Sequence, residues 1–108
     1  MANERKNLQH SAGRVRTFDQ VIESGTGNFQ VITIGAGTVE IELIENGATP
    51  GNGIDPLERV ILVESCTPGL TVATDPVTDT DTRFRVVMTI AGDPIDGTFA
   101  FTVDRVGP

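Results

Sequence analysis

Polar and apolar residues alternate in two stretches near the end of this chain, residues 83–90 and 98–104. A period of two predicts β-strands with one buried face. The segment 91–97 between them is rich in Gly, Asp and Pro, so the two strands are expected to form a hairpin. The inner face of this hairpin is predicted to form the centre of the core, with Phe84, Val86, Met88, Phe99, Phe101 and Val103 as its members.

Alternation or a continuous apolar run predicts five more strands earlier in the chain. They are expected at 14–23, 29–34, 38–44, 59–64 and 70–74. The strands 29–34 and 38–44 should pair, because only a short Gly-containing turn separates them. In the second of these, Glu40 and Glu42 are expected to face water while the alternate residues Val39, Ile41 and Leu43 face the core. Strand 59–64 is apolar on both faces, which predicts that a loop or a partner covers its outer face.

About seven strands separated by regular turns are typical of a Greek-key sandwich of the immunoglobulin type. The content of 12 Gly, 6 Pro and many β-branched residues agrees with an all-β fold. We therefore predict a single immunoglobulin-like β-sandwich domain over residues 14–108. Residues 1–13 are polar and show no period, which predicts an extended, flexible N-terminal arm.

The net charge of −7 is unevenly distributed. Residues 1–16 contain four basic residues and one acid, a net +3, whereas the rest contains four arginines and fourteen acids, a net −10. The acidic body should repel nucleic acid and anionic membranes. The basic arm is expected to dock on an acidic protein surface, either of this chain or of a neighbour. The predicted partner-facing charges are Arg5, Lys6, Arg14 and Arg16.

The residues present do not indicate catalytic chemistry. Cys66 is the single cysteine, which excludes an intramolecular disulfide and favours folding in a reducing cytoplasm. His10 is the single histidine, and in a flexible arm it would be a poor general base. The chain has no Trp or Tyr on which a sugar could stack, and no Cys/His spacing typical of zinc sites. We predict no catalytic residue and no cofactor.

The acidic loop 75–82 contains the candidate metal ligands. Asp79 and Asp81 could bind Ca²⁺ together with backbone carbonyl groups. Their spacing does not match the calcium loop of an EF-hand, which needs a Gly and a closing Glu. The alternative is that these carboxylates are solvated and form local hydrogen bonds to the backbone of the loop, which is the simpler interpretation.

The long loop 46–57 is rich in Gly and Asn and contains two prolines. Such a loop crosses between sheets or reaches a partner. Ile54 and Leu57 are apolar in surroundings that are otherwise polar, and they are candidate anchors on a partner. The alternative is that both side chains fold back onto the core of the domain itself.

The arm 1–13, the compact Val/Ile/Thr-rich sandwich 14–106 and the loop 46–57 together resemble the decoration (cement) proteins on the heads of tailed bacteriophages. The resemblance covers the whole chain in general character. It implies a non-enzymatic virion protein that binds the outside of the capsid in many copies and stabilises the shell. Its partner would be the major capsid protein or another virion protein, with a homo-oligomer at the capsomer junctions as a further expectation.

This resemblance places the protein in the virion, after assembly in the host cytoplasm. The N-terminus lacks the apolar region of a secretory signal peptide. No stretch of about 20 apolar residues predicts a membrane span. The alternative function is an immunoglobulin-like adhesion or fibre module, stiffened by calcium, that binds a surface protein or glycan. A small enzyme or enzyme inhibitor is a third class.

Overall fold

The computed structural model describes residues 10–45, 49–50, 59–76, 80 and 82–106. Within these ranges the chain forms β-strands that pair antiparallel in two packed sheets, so the prediction of an all-β sandwich is confirmed. In chain order the strands are β1 (His10–Arg16), β2 (Val21–Gly25), β3 (Phe29–Gly35), β4 (Thr38–Glu45), β5 (Thr49–Pro50), β6 (Arg59–Ser65), β7 (Thr71–Asp75), β8 (Arg83–Ile90), β9 (Asp93–Pro94) and β10 (Thr98–Arg105).

The first sheet, called sheet 1 below, has the strand order β2-β1-β10-β6. The second, sheet 2, has the order β3-β4-β8-β7, with the short strands β5 beside β4 and β9 beside β8. The first and last strands, β1 and β10, are therefore neighbours in one sheet. In the constant-type immunoglobulin arrangement the first and last strands lie in different sheets. The chain is a β-sandwich with more strands than the seven predicted, and its strand order does not confirm the predicted immunoglobulin-like Greek key.

The predicted hairpin of the last two long strands is wrong, because β8 lies in sheet 2 and β10 lies in sheet 1. Ala91 and Gly92 both have positive φ, 54° and 88°, and form a tight turn after β8. Asp93 and Pro94 then pair back onto the end of β8, and the chain crosses to sheet 1 through residues 95–97. The segment 91–97 therefore contains a two-residue turn followed by a crossover.

All six residues predicted for the inner face of that hairpin are nevertheless buried. The strands β8 and β10 face each other across the interior, so their apolar faces meet instead of lying side by side. Phe101 is at the centre of the core, and its ring contacts Phe29, Phe84 and Phe99 at centroid distances of 4.8, 5.6 and 6.3 Å. The contacts with Phe29 and Phe84 are edge-on, which is a favoured geometry for aromatic pairs.

The start of the chain differs from the prediction in two respects. The predicted strand 14–23 is two strands, because residues 17–20 form a turn in which Gln20 has a φ of 59°. The predicted arm 1–13 extends too far, because its last four residues, 10–13, lie in β1 and pair with β10. Residues 1–9 lie outside the described residues.

Glycines in β1 and β2 explain why polar and apolar residues alternate so little at the start of the chain. Gly13 of β1 and Gly25 of β2 are register partners. A Cβ atom at Gly13 would overlap the ring of Phe29, and one at Gly25 would lie 2.7 Å from that ring. The ring of Phe29 thus fills the space that side chains on β1 and β2 would need, and it reaches Phe101 through this space.

The hairpin of β3 and β4 is confirmed, and Val39, Ile41 and Leu43 are buried as predicted. The expectation that Glu40 and Glu42 face water is wrong, since both are buried, Glu42 to 5% exposure. They lie on the outer face of sheet 2, beneath two arginines of β8. Arg83 Nε is 3.0 Å from Glu42 Oε2, and Arg85 Nη2 is 2.9 Å from Glu40 Oε2. These cross-strand ion pairs cover the carboxylates and compensate their burial.

No helix in the described ranges has the length and apolarity that crossing a membrane requires.

Candidate protein-binding surfaces

Four turns meet at one end of the sandwich, and hydrogen bonds connect them. They are residues 17–20, 35–37, 66–70 and 91–97. Thr17 N donates to Gly97 O at 2.9 Å, and Met88 N donates to Gly37 O at 2.6 Å. Thr98 N donates to the Thr67 hydroxyl at 2.9 Å. Turns that are bonded to one another in this way form a rigid surface.

Asp96 is the side chain that joins three of these segments. Its Oδ1 accepts a hydrogen bond from Gly37 N at 2.9 Å and one from the Thr17 hydroxyl at 3.2 Å. Gly37 has a φ of 70°, and a Cβ atom there would lie 2.6 Å from Ile95 N and from Met88 O. A glycine is therefore required where the β3–β4 turn packs against the crossover 95–97.

The same end carries a set of large apolar side chains that are exposed to solvent. We call this set the apolar end, and its members are Phe18, Val21, Ile34, Ile90 and Ile95. Phe18, in the turn between β1 and β2, is 65% exposed. At the opposite end the exposed large hydrophobic residues among those described are Val106 and Val60, the register partner of Asp104. Isolated exposed apolar residues are ordinary, but their concentration at one end is typical of a binding surface.

Arg14 and Arg16, predicted to face a partner, contact acids of the chain itself. Arg14 Nε is 2.8 Å from Glu23 Oε1. Arg16 binds Asp19 through Nε and Nη2, at 3.0 and 2.9 Å, and its guanidinium lies 5.3 Å from the ring centre of Phe18. Both arginines thus pair with acids that lie within nine residues of them in the sequence. Their contact with a partner stays a prediction.

The hydrogen bonds from Arg16 hold the pKa of the Asp19 carboxyl below its ordinary value, and they raise the pKa of Arg16. Because the folded-state pKa of Asp19 is lowered, the contact stabilises the folded chain above the ordinary carboxyl pKa. That contribution is lost as the pH falls through the lowered value. Both groups are exposed to solvent, so the effect on stability is small.

The variant Arg16→Gln is expected to raise the pKa of Asp19 towards its ordinary value, because the donor that stabilises the carboxylate is removed. An NMR titration of the Asp19 carboxyl carbon measures this. Arg14→Gln is the matched control, since Arg14 contacts Glu23 and not Asp19. Equal pKa values of Asp19 in the two variants would contradict the contact.

A second candidate surface is the outer face of sheet 1 beside β6. Leu62 is 63% exposed, and Val60 on the same face is also exposed. Next to them is a shallow depression of about 270 Å³, lined by Leu62, Val63, Glu64, Ala100, Phe101 and Thr102. Strand 59–64 was predicted to be covered on its outer face. The exposure of Leu62 means that the described part of this chain does not supply that cover.

The remaining candidate residues lie outside the described residues. They are Arg5, Lys6, Ile54, Leu57, Asp79 and Asp81. Across the described residues, no group of three or more His, Cys, Asp or Glu side chains is placed to hold a metal ion. Calcium binding by the acidic loop stays a prediction.

Cys66 and His10 are separated by the length of the sandwich. The half-buried thiol of Cys66 follows β6 at the apolar end, while His10 begins β1 at the opposite end. His10 Nδ1 lies 2.6 Å from Asp104 Oδ1, its neighbour on β10. The two residues therefore cannot act as a nucleophile and its general base.

Comparison with protein-family models, with curated proteins and with solved structures finds no match for this chain. What this protein does must therefore be argued from its own surfaces.

Proposed function

We propose that this chain is a non-enzymatic structural protein of a bacteriophage virion, which binds the outside of the capsid and stabilises the shell. The observation that carries the proposal is the apolar end, where Phe18 and four aliphatic side chains are exposed in or beside the four hydrogen-bonded turns. The resemblance of the arm 1–13, the Val/Ile/Thr-rich sandwich 14–106 and the loop 46–57 to capsid decoration proteins indicates a capsid protein as the partner.

The chemistry of the apolar end fits a protein partner. Aromatic side chains that are exposed in the free protein are typical anchors of protein interfaces, where a few of them contribute most of the binding energy. The turns that carry them are already ordered by the Asp96 hydrogen bonds, so docking loses little conformational entropy.

Charge indicates which kind of surface the apolar end would meet. Asp93 of β9 and Asp96 of the crossover are both exposed, on either side of Ile95. A capsid surface with an apolar patch and basic residues around it would complement this arrangement. The arm residues and the loop 46–57, predicted to lie over capsid subunits, would make additional contacts.

The proposal is tested first by sedimenting the native source material and finding the fraction that contains the chain. A shell protein is expected in the large particles at a high copy number. Presence of the chain as a monomer in the light fraction alone would contradict the proposal and favour the alternative of an adhesion module.

The role of the apolar end is tested by adding purified variants to shells that lack the chain. Phe18→Ser is expected to weaken binding by about tenfold or more, as for an aromatic anchor. Val106→Ser is the matched control, since Val106 is 61% exposed at the opposite end, and its binding should be unchanged. Equal losses in the two variants, or none, would exclude the apolar end as the docking surface.

A further inference from the structure

The two sheets have four edge strands along their main paths, β2 and β6 in sheet 1 and β3 and β7 in sheet 2. Proteins protect such edges from pairing with other chains by bulges, short strands, prolines or charges. The edge strands β2 and β3 each adjoin a register shift, between Arg14 and Val15 and between Thr33 and Gly35. The edge strand β7 has five residues and is followed directly by Pro76.

The edge strand β6 is the least protected of the four, since its charges are the buried Arg59 at its start and Glu64 near its end. It has seven residues, it contains neither proline nor lysine, and it pairs with β10 in unbroken register from Arg59 to Ser65. Its outward side chains include the exposed Val60 and Leu62. A long, regular and apolar edge is a template for adding another strand.

A hydrogen bond just after the end of β6 shows which of its backbone groups point towards β10. Cys66 N donates to Thr98 O at 2.9 Å, so the backbone groups of Cys66 point towards β10. Because this direction alternates along an antiparallel strand, Leu62 and Glu64 also bond to β10. The N–H and C=O groups of Ile61 and Val63 then point away from the sheet, at an edge with which no described strand pairs.

We propose that two copies of this chain pair through their β6 strands, about a two-fold axis at Leu62. In this register Ile61 of each copy exchanges hydrogen bonds with Val63 of the other. Leu62 stands opposite Leu62 in a non-hydrogen-bonded pair, in which side chains approach most closely. Glu64 stands opposite Val60, so no like charges oppose each other in the new ladder. The product is a continuous sheet of eight strands that covers Leu62.

This register makes a sharp prediction for introduced cysteines. In a Cys66→Ser background, Leu62→Cys places two thiols on Cα atoms about 4.5 Å apart, within the range that a disulfide spans. The matched control is Val60→Cys, whose two copies would be separated by about 14 Å, four residues along the partner strand. Non-reducing gels should show interchain cross-linking at least about tenfold faster for Leu62→Cys. Equal rates for the two variants would overturn the proposed register.

A charge swap at the same position tests the pairing without a covalent bond. Leu62 is exposed, so neither Leu62→Lys nor Leu62→Glu should unfold the monomer. Each variant alone places like charges at the axis, and its dimer dissociation constant should rise by about tenfold or more. A mixture of the two should recover the dimer, because Lys then faces Glu. Sedimentation velocity over a concentration series measures all three samples.

These measurements use the purified chain alone and therefore do not depend on capsid binding. A wild-type chain that stays monomeric over the whole series would overturn the inference, and so would failure of the mixed variants to associate. Loss of shell binding in Phe18→Ser, by contrast, concerns the apolar end and leaves the β6 pairing unaffected.

Discussion

Replacement of Phe101 by alanine is expected to lower the free energy of unfolding by about 3–5 kcal/mol. Phe101 is 2% exposed and contacts three other rings, two on β3 and β8 across the interior and one on its own strand. Alanine leaves a cavity that both sheets line, and the close-packed side chains around it can relax only partly into the space. Urea denaturation followed by circular dichroism measures the loss.

The control for this variant is Phe18→Ala. It removes the same side chain from a position that is 65% exposed, and the stability is expected to change by no more than about 0.5 kcal/mol. If Phe101→Ala cost less than about 1 kcal/mol, its ring would not be at the centre of the core.

Gly37→Ala is expected to lower the free energy of unfolding by about 3 kcal/mol. Two costs contribute, each of about 1–2 kcal/mol or more: a left-handed backbone angle for alanine, and displacement of the backbone at Ile95 and Met88. These two atoms belong to the peptide backbone, so no side chain can rotate to make space. The displacement would also disturb the hydrogen bond from Gly37 N to Asp96.

Gly92→Ala separates the two costs. Gly92 also has a positive φ, 88°, but nothing lies within 4 Å of a Cβ atom placed there. Gly92→Ala is therefore expected to lower the free energy of unfolding only by the cost of the left-handed backbone angle, about 1–2 kcal/mol. Thermal unfolding of the two variants side by side gives the difference. Equal melting temperatures would mean that the close packing at Gly37 contributes nothing to stability.

The inner faces of the strands were predictable because each depends on local alternation. Phe84, Val86 and Phe99 are buried as expected, although the pairing inferred for their strands is wrong. The alternation within a strand predicts which of its faces is buried. The strand with which it pairs depends on segments that are distant in the sequence. The segment 91–97 has the composition of a hairpin turn whether it returns to the same sheet or crosses to the other.

Glycine caused the error at the start of the chain. A glycine at position 13 suggests a flexible segment when only the sequence is known. In the structure Gly13 lies in β1 because the ring of Phe29, 16 residues later, occupies the space of a side chain there. The burial of Glu42 was unpredictable for the same reason, since the arginine that covers it comes from β8, 41 residues away.

The candidate surfaces were predictable only in part. The apolar outer residues of strand 59–64 indicated a face that needs a cover, and Leu62 is exposed there. The apolar end was missed, because Phe18 was assigned to the continuous strand predicted over 14–23. Its members are distributed over four separate segments, and only folding brings those segments to one end of the sandwich.

The antiparallel pairing of β1 with β10 has a mechanical consequence. His10 stands opposite Asp104, so the start of β1 and the end of β10 lie side by side. Tension applied at these two points would open the ladder one rung at a time, and each rung resists with only about 1 kcal/mol per hydrogen bond. Compression across the sheets would instead meet a close-packed interior. The fold should therefore resist compression perpendicular to its sheets better than tension applied at the two ends of the chain.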